Sequence, residues 1–169
     1  MTGPKEGGFS LIETVFALSL LLIVALGLLP LGIIATTTTE NMGHLSARTT
    51  EYAQDKLEQL LALSYGDSTS DTRVFPATDL DGSGLSIGGS ADPDAPVELY
   101  VDYLDINGTL VPSEGPEDPD SWFYKRVWEV TSPSANLKQV TVTAIVKTAV
   151  GGVGVIPQST VTALKTFPF

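Results

Sequence analysis

The stretch Gly8-Phe9-Ser10-Leu11-Ile12-Glu13 stands directly before an apolar run that reaches Ala35. No charged residue occurs from Thr14 to the end of that run. Because a helix rises about 1.5 Å per residue, the run is long enough to cross the roughly 30 Å hydrocarbon core of a bilayer. The sequence therefore predicts a membrane-spanning helix that carries one carboxylate, Glu13, at its start.

Two other interpretations of the apolar run have to be weighed. A chain of 169 residues has too small a core to bury a helix that is apolar on every face, which disfavours a core helix. A cleavable secretory signal fits the position after Lys5 and would leave a soluble protein beginning near Thr36. The apolar region of such signals is about 7–15 residues, shorter than this run, so a membrane span is favoured.

A carboxylate near the start of a membrane helix is costly unless it meets a cation, and this makes Glu13 a candidate functional residue. Cleavage of the chain after Gly8 would give Phe9 a free α-amino group. That amine would lie about one helical turn from Glu13, and the same amine of a neighbouring copy could approach the carboxylate.

The motif resembles the N-terminus of type IV pilins and pseudopilins. Residues 1–8 correspond to the short polar leader ending in glycine, Phe9 to the aromatic first mature residue, and Glu13 to the fifth mature residue. The resemblance implies cleavage between Gly8 and Phe9 by a prepilin peptidase and N-methylation of Phe9. Lys5 fits a leader that lies on the cytoplasmic side.

Pro30 is a further candidate residue in the apolar run. Proline removes a backbone donor and crowds the carbonyl four residues back, and Gly27 and Gly32 on either side have weak helix propensity. A local loss of helix is therefore predicted here. Many type IV pilins carry proline at this position, and the resemblance implies that the helix unwinds here in the filament. An ordinary proline kink in a membrane span is the alternative.

A second helical pattern follows the apolar run. Apolar residues recur at spacings of three, four and seven, and polar residues fill the opposite face; the apolar set is Leu45, Tyr52, Ala53, Leu57, Leu60 and Leu61. Gly66 is the predicted end of this helix. The chain is thus divided into a leader (residues 1–8), a transmembrane or filament-core helix (9–35), the amphipathic half of that helix (36–65) and a head (66–169).

The head is predicted to be an antiparallel sheet, which makes the protein α+β: a long N-terminal helix packed on a C-terminal sheet, as in the pilin fold. Alternating apolar residues predict strands at 97–104, 109–111, 123–131, 137–147 and 160–166. Asn107-Gly108 predicts a two-residue hairpin, and residues 132–136 and 151–152 supply further turns. This layout resembles minor pilins of the PilV type and pseudopilins of type II secretion.

Composition favours an assembly subunit over an enzyme. The chain has no cysteine, its single histidine, His44, lies on the predicted helix without a partner motif, and no phosphate loop, metal-binding histidine pair or nucleophile elbow occurs. The net charge is −11, with acidic residues concentrated in the head, which disfavours direct binding of nucleic acid. We therefore expect no enzymatic activity and no cofactor.

Calcium is the one metal ion for which the sequence offers candidate ligands. Asp79-Leu80-Asp81-Gly82-Ser83-Gly84 resembles the start of a calcium loop, so Asp79, Asp81 and Ser83 are weak candidate ligands. Ser90 occupies the place of the bidentate glutamate, and Asp92 or Asp94 would have to replace it. A flexible acidic loop is the alternative.

The combined expectation is a minor type IV pilin that is stored in the bacterial inner membrane as a single-pass precursor and then joins an extracytoplasmic filament. The partners implied by the resemblance are the prepilin peptidase, other pilin or pseudopilin subunits and the inner-membrane assembly platform. A type II secretion pseudopilin and a membrane-anchored binding domain are the alternatives. Trp122, Phe123 and residues 167–169 are candidate contact residues of the head, although large aromatic residues more often belong to a core.

Overall fold

The computed structural model describes residues 8, 10–113, 118–149 and 155–167. It contains one helix, α1 (Leu11–Ala62), and six strands: β1 (Gly88–Gly89), β2 (Val101–Leu104), β3 (Leu110–Val111), β4 (Tyr124–Ser134), β5 (Leu137–Val146) and β6 (Gln158–Thr166). The chain divides into two compact units, residues 1–40 and residues 41–169. We call residues 11–40 of the helix the anchor portion and the second unit the head unit.

Within the head unit, residues 41–62 of the helix pack on an antiparallel sheet with the strand order β3-β2-β4-β5-β6, and β1 pairs with β4. The predicted α+β class is confirmed. Tyr52, Ala53 and Leu60 from the predicted apolar stripe are buried against the sheet, with Leu45 and Leu57 partly buried beside them. Helical periodicity thus identified the face of the helix that packs on the sheet.

The helix ends at Ala62, three residues before the predicted end. Gly66 lies in a turn and is not among the glycines with positive φ, so it does not act as a left-handed cap. Two lysines of the sheet instead donate hydrogen bonds to carbonyl groups at this end of the helix. Lys165 donates to the Leu61 carbonyl, and Lys138 donates to the carbonyl of Tyr65 just beyond the helix. Cations are favourable at this end of a helix because its carbonyl dipoles point outward.

Strand β2 is shorter than the predicted strand at 97–104, because residues 97–100 form a turn in which the Tyr100 amide donates to the Val97 carbonyl at 3.0 Å. Leu99 in this turn has a positive φ of 67°. The cause is the short strand β1, whose two glycines pair with Glu129 and Val130 of β4. This pairing occupies the edge of β4 that residues 97–100 would otherwise have used.

The hairpin between β2 and β3 lies at the predicted position, but its loop is longer than the predicted two residues. Leu104 pairs with Leu110, so five residues form the connection. The Asp105 carboxylate accepts hydrogen bonds from the amides of Asn107 and Thr109, each at 2.8 Å, and Gly108 adopts a positive φ of 85°. The aspartate stabilises a wider loop than Asn-Gly alone would form.

The three long strands at the centre and edge of the sheet agree closely with the predicted ones. β4 alternates as expected, placing Tyr124, Trp128 and Val130 in the core beneath the helix and Val127 in a smaller cluster on the opposite face. β4 extends to Ser134, so the predicted turn at 132–136 is reduced to two residues. The predicted turn at 151–152 lies outside the described residues.

Candidate processing and assembly segment

The start of the helix is held by a serine cap. Ser10 accepts hydrogen bonds from the Glu13 amide through both its hydroxyl, at 3.3 Å, and its carbonyl, at 3.1 Å. The sequence Ser-x-x-Glu is the capping-box pattern, a signal that the sequence analysis did not use. A glutamate in the first turn also faces the positive end of the helix dipole. Gly8 is exposed just before the cap, and Phe9 lies outside the described residues.

The Glu13 side chain is exposed on the first turn of the helix. Among the described residues, which omit 1–7 and 9, it forms no ion pair. The carboxylate is therefore available to a cation from outside the described part of the chain.

The anchor portion presents apolar side chains in every direction. Leu11 is 83% exposed, and all sixteen large hydrophobic residues from Leu11 to Ile34, both included, are at least 49% exposed. The most apolar 18-residue window of the helix has a mean hydropathy of 2.7, and none of it is buried within the protein. Within the described part of the chain this segment is therefore not a buried core helix, and its length and composition suit a membrane span.

Five hydroxyl groups in the anchor portion donate to carbonyl groups of the helix itself. Ser19 donates to the Val15 carbonyl and Thr39 to the Ala35 carbonyl, each at 2.8 Å, and Thr14, Thr36 and Thr37 make similar bonds. A hydroxyl bonded in this way costs less to transfer into an apolar environment than a free one. These polar residues are thus compatible with burial in lipid or in a bundle of helices.

Pro30 does not interrupt the helix, which is continuous from Leu11 to Ala62. The predicted local loss of helix at this position is therefore wrong for the single chain. A proline inside a helix removes one hydrogen bond and strains one turn, and the uninterrupted turns on both sides maintain the helical path. Gly27 and Gly32 have open space around them, so no packed side chain forces the helix apart there.

Two of the three calcium candidates, Ser83 and Asp79, have hydrogen-bond partners within the head unit. The Ser83 hydroxyl is buried and donates to the Leu99 carbonyl at 2.9 Å, whereas the Asp79 carboxylate accepts a bond from Ser70. Within the described ranges, no group of three or more histidine, aspartate or glutamate residues could hold a metal ion. Calcium binding draws no support from this arrangement.

Close packing explains why glycine recurs in the same loop. A Cβ atom on Gly82 would collide with the backbone of Ser70, and Gly84 has a positive φ of 50° beside Asp67. The amides of Gly82 and Gly84 donate to the carbonyls of Thr69 and Ser70. The Asp-Gly-Ser-Gly pattern therefore reflects the approach of two loop segments.

The remaining candidate residues lie on the head unit. His44 is exposed on the helix, as expected for a surface residue. Trp122 and Phe123 are half-buried, Trp122 packing on the smaller cluster and Phe123 on the main core. Phe167 is 51% exposed and forms an edge-on contact with Tyr65, with ring centroids 5.2 Å apart. Residues 168 and 169 lie outside the described part.

Sequence reasoning missed a buried ion cluster between the helix and the sheet. Lys56 lies 2.6 Å and Arg126 2.7 Å from the Asp102 carboxylate, and the three side chains are at most 5% exposed. Arg126 also reaches Asp55 at 3.1 Å on the open side of the helix. The Lys56 ammonium donates to the Thr72 carbonyl and lies 4.3 Å from the ring centre of Trp128.

The charges of this cluster depend on one another. Burial alone would raise the pKa of Asp102, but the adjacent Arg126 and Lys56 hold it below its ordinary value. Burial lowers the pKa of Lys56 to about 8, and the attraction of Asp102 opposes that effect. At neutral pH the cluster thus contains one carboxylate shared by two cations.

The lowered pKa of Lys56 predicts a pH dependence of stability. Between its native value of about 8 and its ordinary value of 10.5, the unfolded chain binds more protons at Lys56 than the native chain does. The contribution of Lys56 to the free energy of unfolding therefore rises with pH in this window, by roughly 1–2 kcal/mol between pH 8 and 9.5.

Denaturant unfolding of the full chain in detergent, followed by tryptophan fluorescence, measures this effect, because both tryptophans lie in the head unit. Lys56→Met lacks the titrating group and serves as the reference at each pH. A constant difference in stability between the two proteins from pH 7 to 9.5 would contradict the lowered pKa.

Comparison with known proteins gives one match. Residues 3–29 match the family model described as the prokaryotic N-terminal methylation motif. The matched region covers fewer than a fifth of the 169 residues and ends just before Pro30. It indicates a prepilin substrate of the type IV pilin and pseudopilin kind. Searches of curated proteins and of solved structures found no match to the chain.

Proposed function

We propose that this protein is a minor type IV pilin, which prepilin peptidase cleaves between Gly8 and Phe9 and methylates on Phe9. The observation that carries the proposal is the methylation motif on an exposed, apolar helix whose later residues pack on an antiparallel sheet. The protein is a substrate of the peptidase and a structural subunit of the pilus or of its initiation complex, and it has no enzymatic activity of its own.

The anchor portion serves first as a membrane anchor. Its apolar side chains suit the bilayer, and Lys5 in the leader favours a cytoplasmic N-terminus. The head unit then lies on the other side of the inner membrane and, after assembly, in the filament. The assembly platform of the inner membrane is the proposed partner in that transfer.

In the filament, the same apolar surface packs against helices of neighbouring subunits. Glu13 pairs there with the Phe9 amine of a neighbour, which offsets the burial of both charges and fixes the axial register of the two subunits. The carboxylate on the first helical turn is exposed and forms no ion pair with any other residue that the structure describes, which supports this role. Because the helix is continuous across Pro30 in the single chain, any loss of helix at this position belongs to the assembly step.

Blocking the cleavage site tests the proposed processing. Gly8→Val places a branched side chain at the cleaved bond, and we expect the full-length precursor to accumulate in the membrane and to be missing from sheared filaments. Gly3→Val is the control, since it makes the same exchange at a leader position away from the bond. Cleavage and assembly of Gly8→Val at the rate of the control would contradict the proposal.

A pseudopilin of type II secretion would be processed in the same way, so the filament itself has to be identified. We expect the mature chain to co-purify with sheared type IV pili as a minor component. Its recovery only with components of a type II secretion system would replace the minor-pilin assignment and leave the proposed processing intact.

A further inference from the structure

The hairpin loop between β2 and β3 contains the one asparagine of this chain that is followed by glycine. The chain has three asparagines, Asn41, Asn107 and Asn136, and all three are exposed. Asn41 lies within the helix before a methionine, and Asn136 lies in the tight turn between β4 and β5 before a leucine. Asn107 lies in the longer loop, before Gly108. The three residues therefore differ in the backbone that follows the side chain and not in their access to water.

Asparagine is chemically labile, because the backbone nitrogen of the next residue can attack its side-chain amide. In this reaction the nitrogen loses its proton to hydroxide and forms a bond to Cγ, and the side-chain nitrogen leaves as ammonia. Water then opens the cyclic succinimide at either carbonyl carbon, which gives aspartate or isoaspartate. The two steps consume only water and involve no oxidation. A side chain on the next residue crowds the attack, whereas glycine lets the backbone approach closely.

The loop around Asn107 is held together by Asp105. One oxygen of the Asp105 carboxylate accepts bonds from the amides of Asn107 and Thr109, and the other lies 3.4 Å from the side-chain nitrogen of Asn107. The Gly108 amide donates to the Asp105 carbonyl at 3.0 Å, so the nitrogen that would attack is engaged within the turn. A Cβ atom on Gly108 would collide with the Tyr52 hydroxyl of the helix. Attack on Asn107 therefore requires the loop to leave this arrangement.

We propose that Asn107 is a site of deamidation in the folded protein, and that the Asp105 carboxylate slows the reaction by holding the loop. The Asn107 side chain is open to water and hydroxide, and glycine supplies the attacking nitrogen. Solvent-exposed backbone hydrogen bonds open at low free-energy cost, so the loop reaches the reactive arrangement without unfolding of the sheet. The bonds to Asp105 determine how often it does so.

The product of the reaction weakens the loop in which it forms. Aspartate and isoaspartate both place a second carboxylate at position 107 and remove the side-chain nitrogen beside Asp105. The amide of Thr109, which donates to the Asp105 carboxylate, holds the pKa of Asp105 below its ordinary value. Asp105 is therefore charged at neutral pH and repels the new carboxylate. Isoaspartate also lengthens the backbone by one carbon, so both products loosen the loop that lies against Tyr52.

Tryptic peptide mapping tests the modification, with the full-length chain incubated in detergent at mildly alkaline pH. Cleavage after lysine and arginine places Asn107 in peptide 74–125, Asn136 in peptide 127–138 and Asn41 in peptide 6–48. We expect the acid form and isoaspartate to accumulate in peptide 74–125 while the other two peptides stay at their starting level. Asn107→Gln carries its amide one carbon farther from the backbone and is expected to lose the signal. An unmodified peptide 74–125, or equal conversion of Asn136, would overturn the proposal.

Two variants test the restraint by Asp105, with fragmentation of the peptide to locate the modified residue. Asp105→Ala removes the acceptor of both amides, and we expect faster conversion of Asn107 than in the unmodified chain. Asp105→Asn keeps an acceptor oxygen and is the matched control, with a rate close to that of the unmodified chain. Equal rates in all three chains would overturn the role of Asp105. The reaction does not depend on cleavage after Gly8, so a failed processing assignment would leave these results unchanged.

Discussion

Asp102→Ala is expected to lower the free energy of unfolding by about 3–5 kcal/mol, because it leaves two buried cations without their shared anion. Lys56 lies 2.6 Å from this carboxylate, and Arg126 binds it through two nitrogens at 2.7 and 2.8 Å. Asp55, whose side chain is 55% exposed, touches Arg126 but cannot replace the lost charge beside Lys56. The loss is measured by denaturant unfolding of the full chain in detergent.

Glu51→Ala provides the control for that measurement. Its partner Arg48 lies at 3.0 Å, but both side chains are largely exposed, and such pairs contribute little to stability because water screens the two charges. The triple variant Lys56→Met, Asp102→Leu and Arg126→Met removes all three buried charges at once. We expect it to recover most of the free energy of unfolding that Asp102→Ala loses. Equal, small losses in Asp102→Ala and Glu51→Ala would contradict the role of the cluster.

Glu13→Ala is expected to leave insertion into the membrane intact and to reduce incorporation into filaments at least about a hundredfold. Removing the carboxylate makes the helix more apolar, which favours insertion. Assembly would then bury the Phe9 amine of a neighbour without an anion, and breaking a buried pair costs about 3–5 kcal/mol. The ratio of filament-bound to membrane-bound protein measures the effect.

Two variants separate this role from helix capping and from a general charge effect. Ser10→Ala removes the hydroxyl that caps the helix but keeps the Glu13 carboxylate. Glu40→Ala removes an exposed carboxylate at the far end of the same portion of the helix. Both are expected to assemble nearly as well as the unmodified chain. Normal assembly of Glu13→Ala, or an equal defect in Ser10→Ala, would contradict pairing between subunits.

Periodicity and turn chemistry predicted most of the fold from the sequence. The stripe containing Tyr52, Ala53 and Leu60 identified the packed face of the helix, and the alternation of β4 separated the two faces of the sheet. These patterns predict the packed faces correctly, because the side of a helix or strand that carries the apolar residues is the side that becomes buried.

The features that the sequence did not predict depend on contacts between distant residues. Lys56 has the polarity of a solvent-facing position on the helix, and only the approach of Asp102 from β2 makes its burial tolerable. Residues 97–100 have a strand-like pattern, but β1 occupies their place beside β4. The end of the helix likewise depends on Lys138 and Lys165 from the sheet rather than on Gly66.

The N-terminal mass of the protein extracted from its native membrane tests the central claim most directly. We expect the mature chain to begin with N-methylated Phe9, because residues 3–29 match the methylation motif and the peptide bond after Gly8 is the proposed site of cleavage. A chain that retains residues 1–8 would indicate a membrane-anchored domain outside pilin biogenesis. A chain that begins near Thr36 would indicate an ordinary secretory signal, and either result would contradict the account.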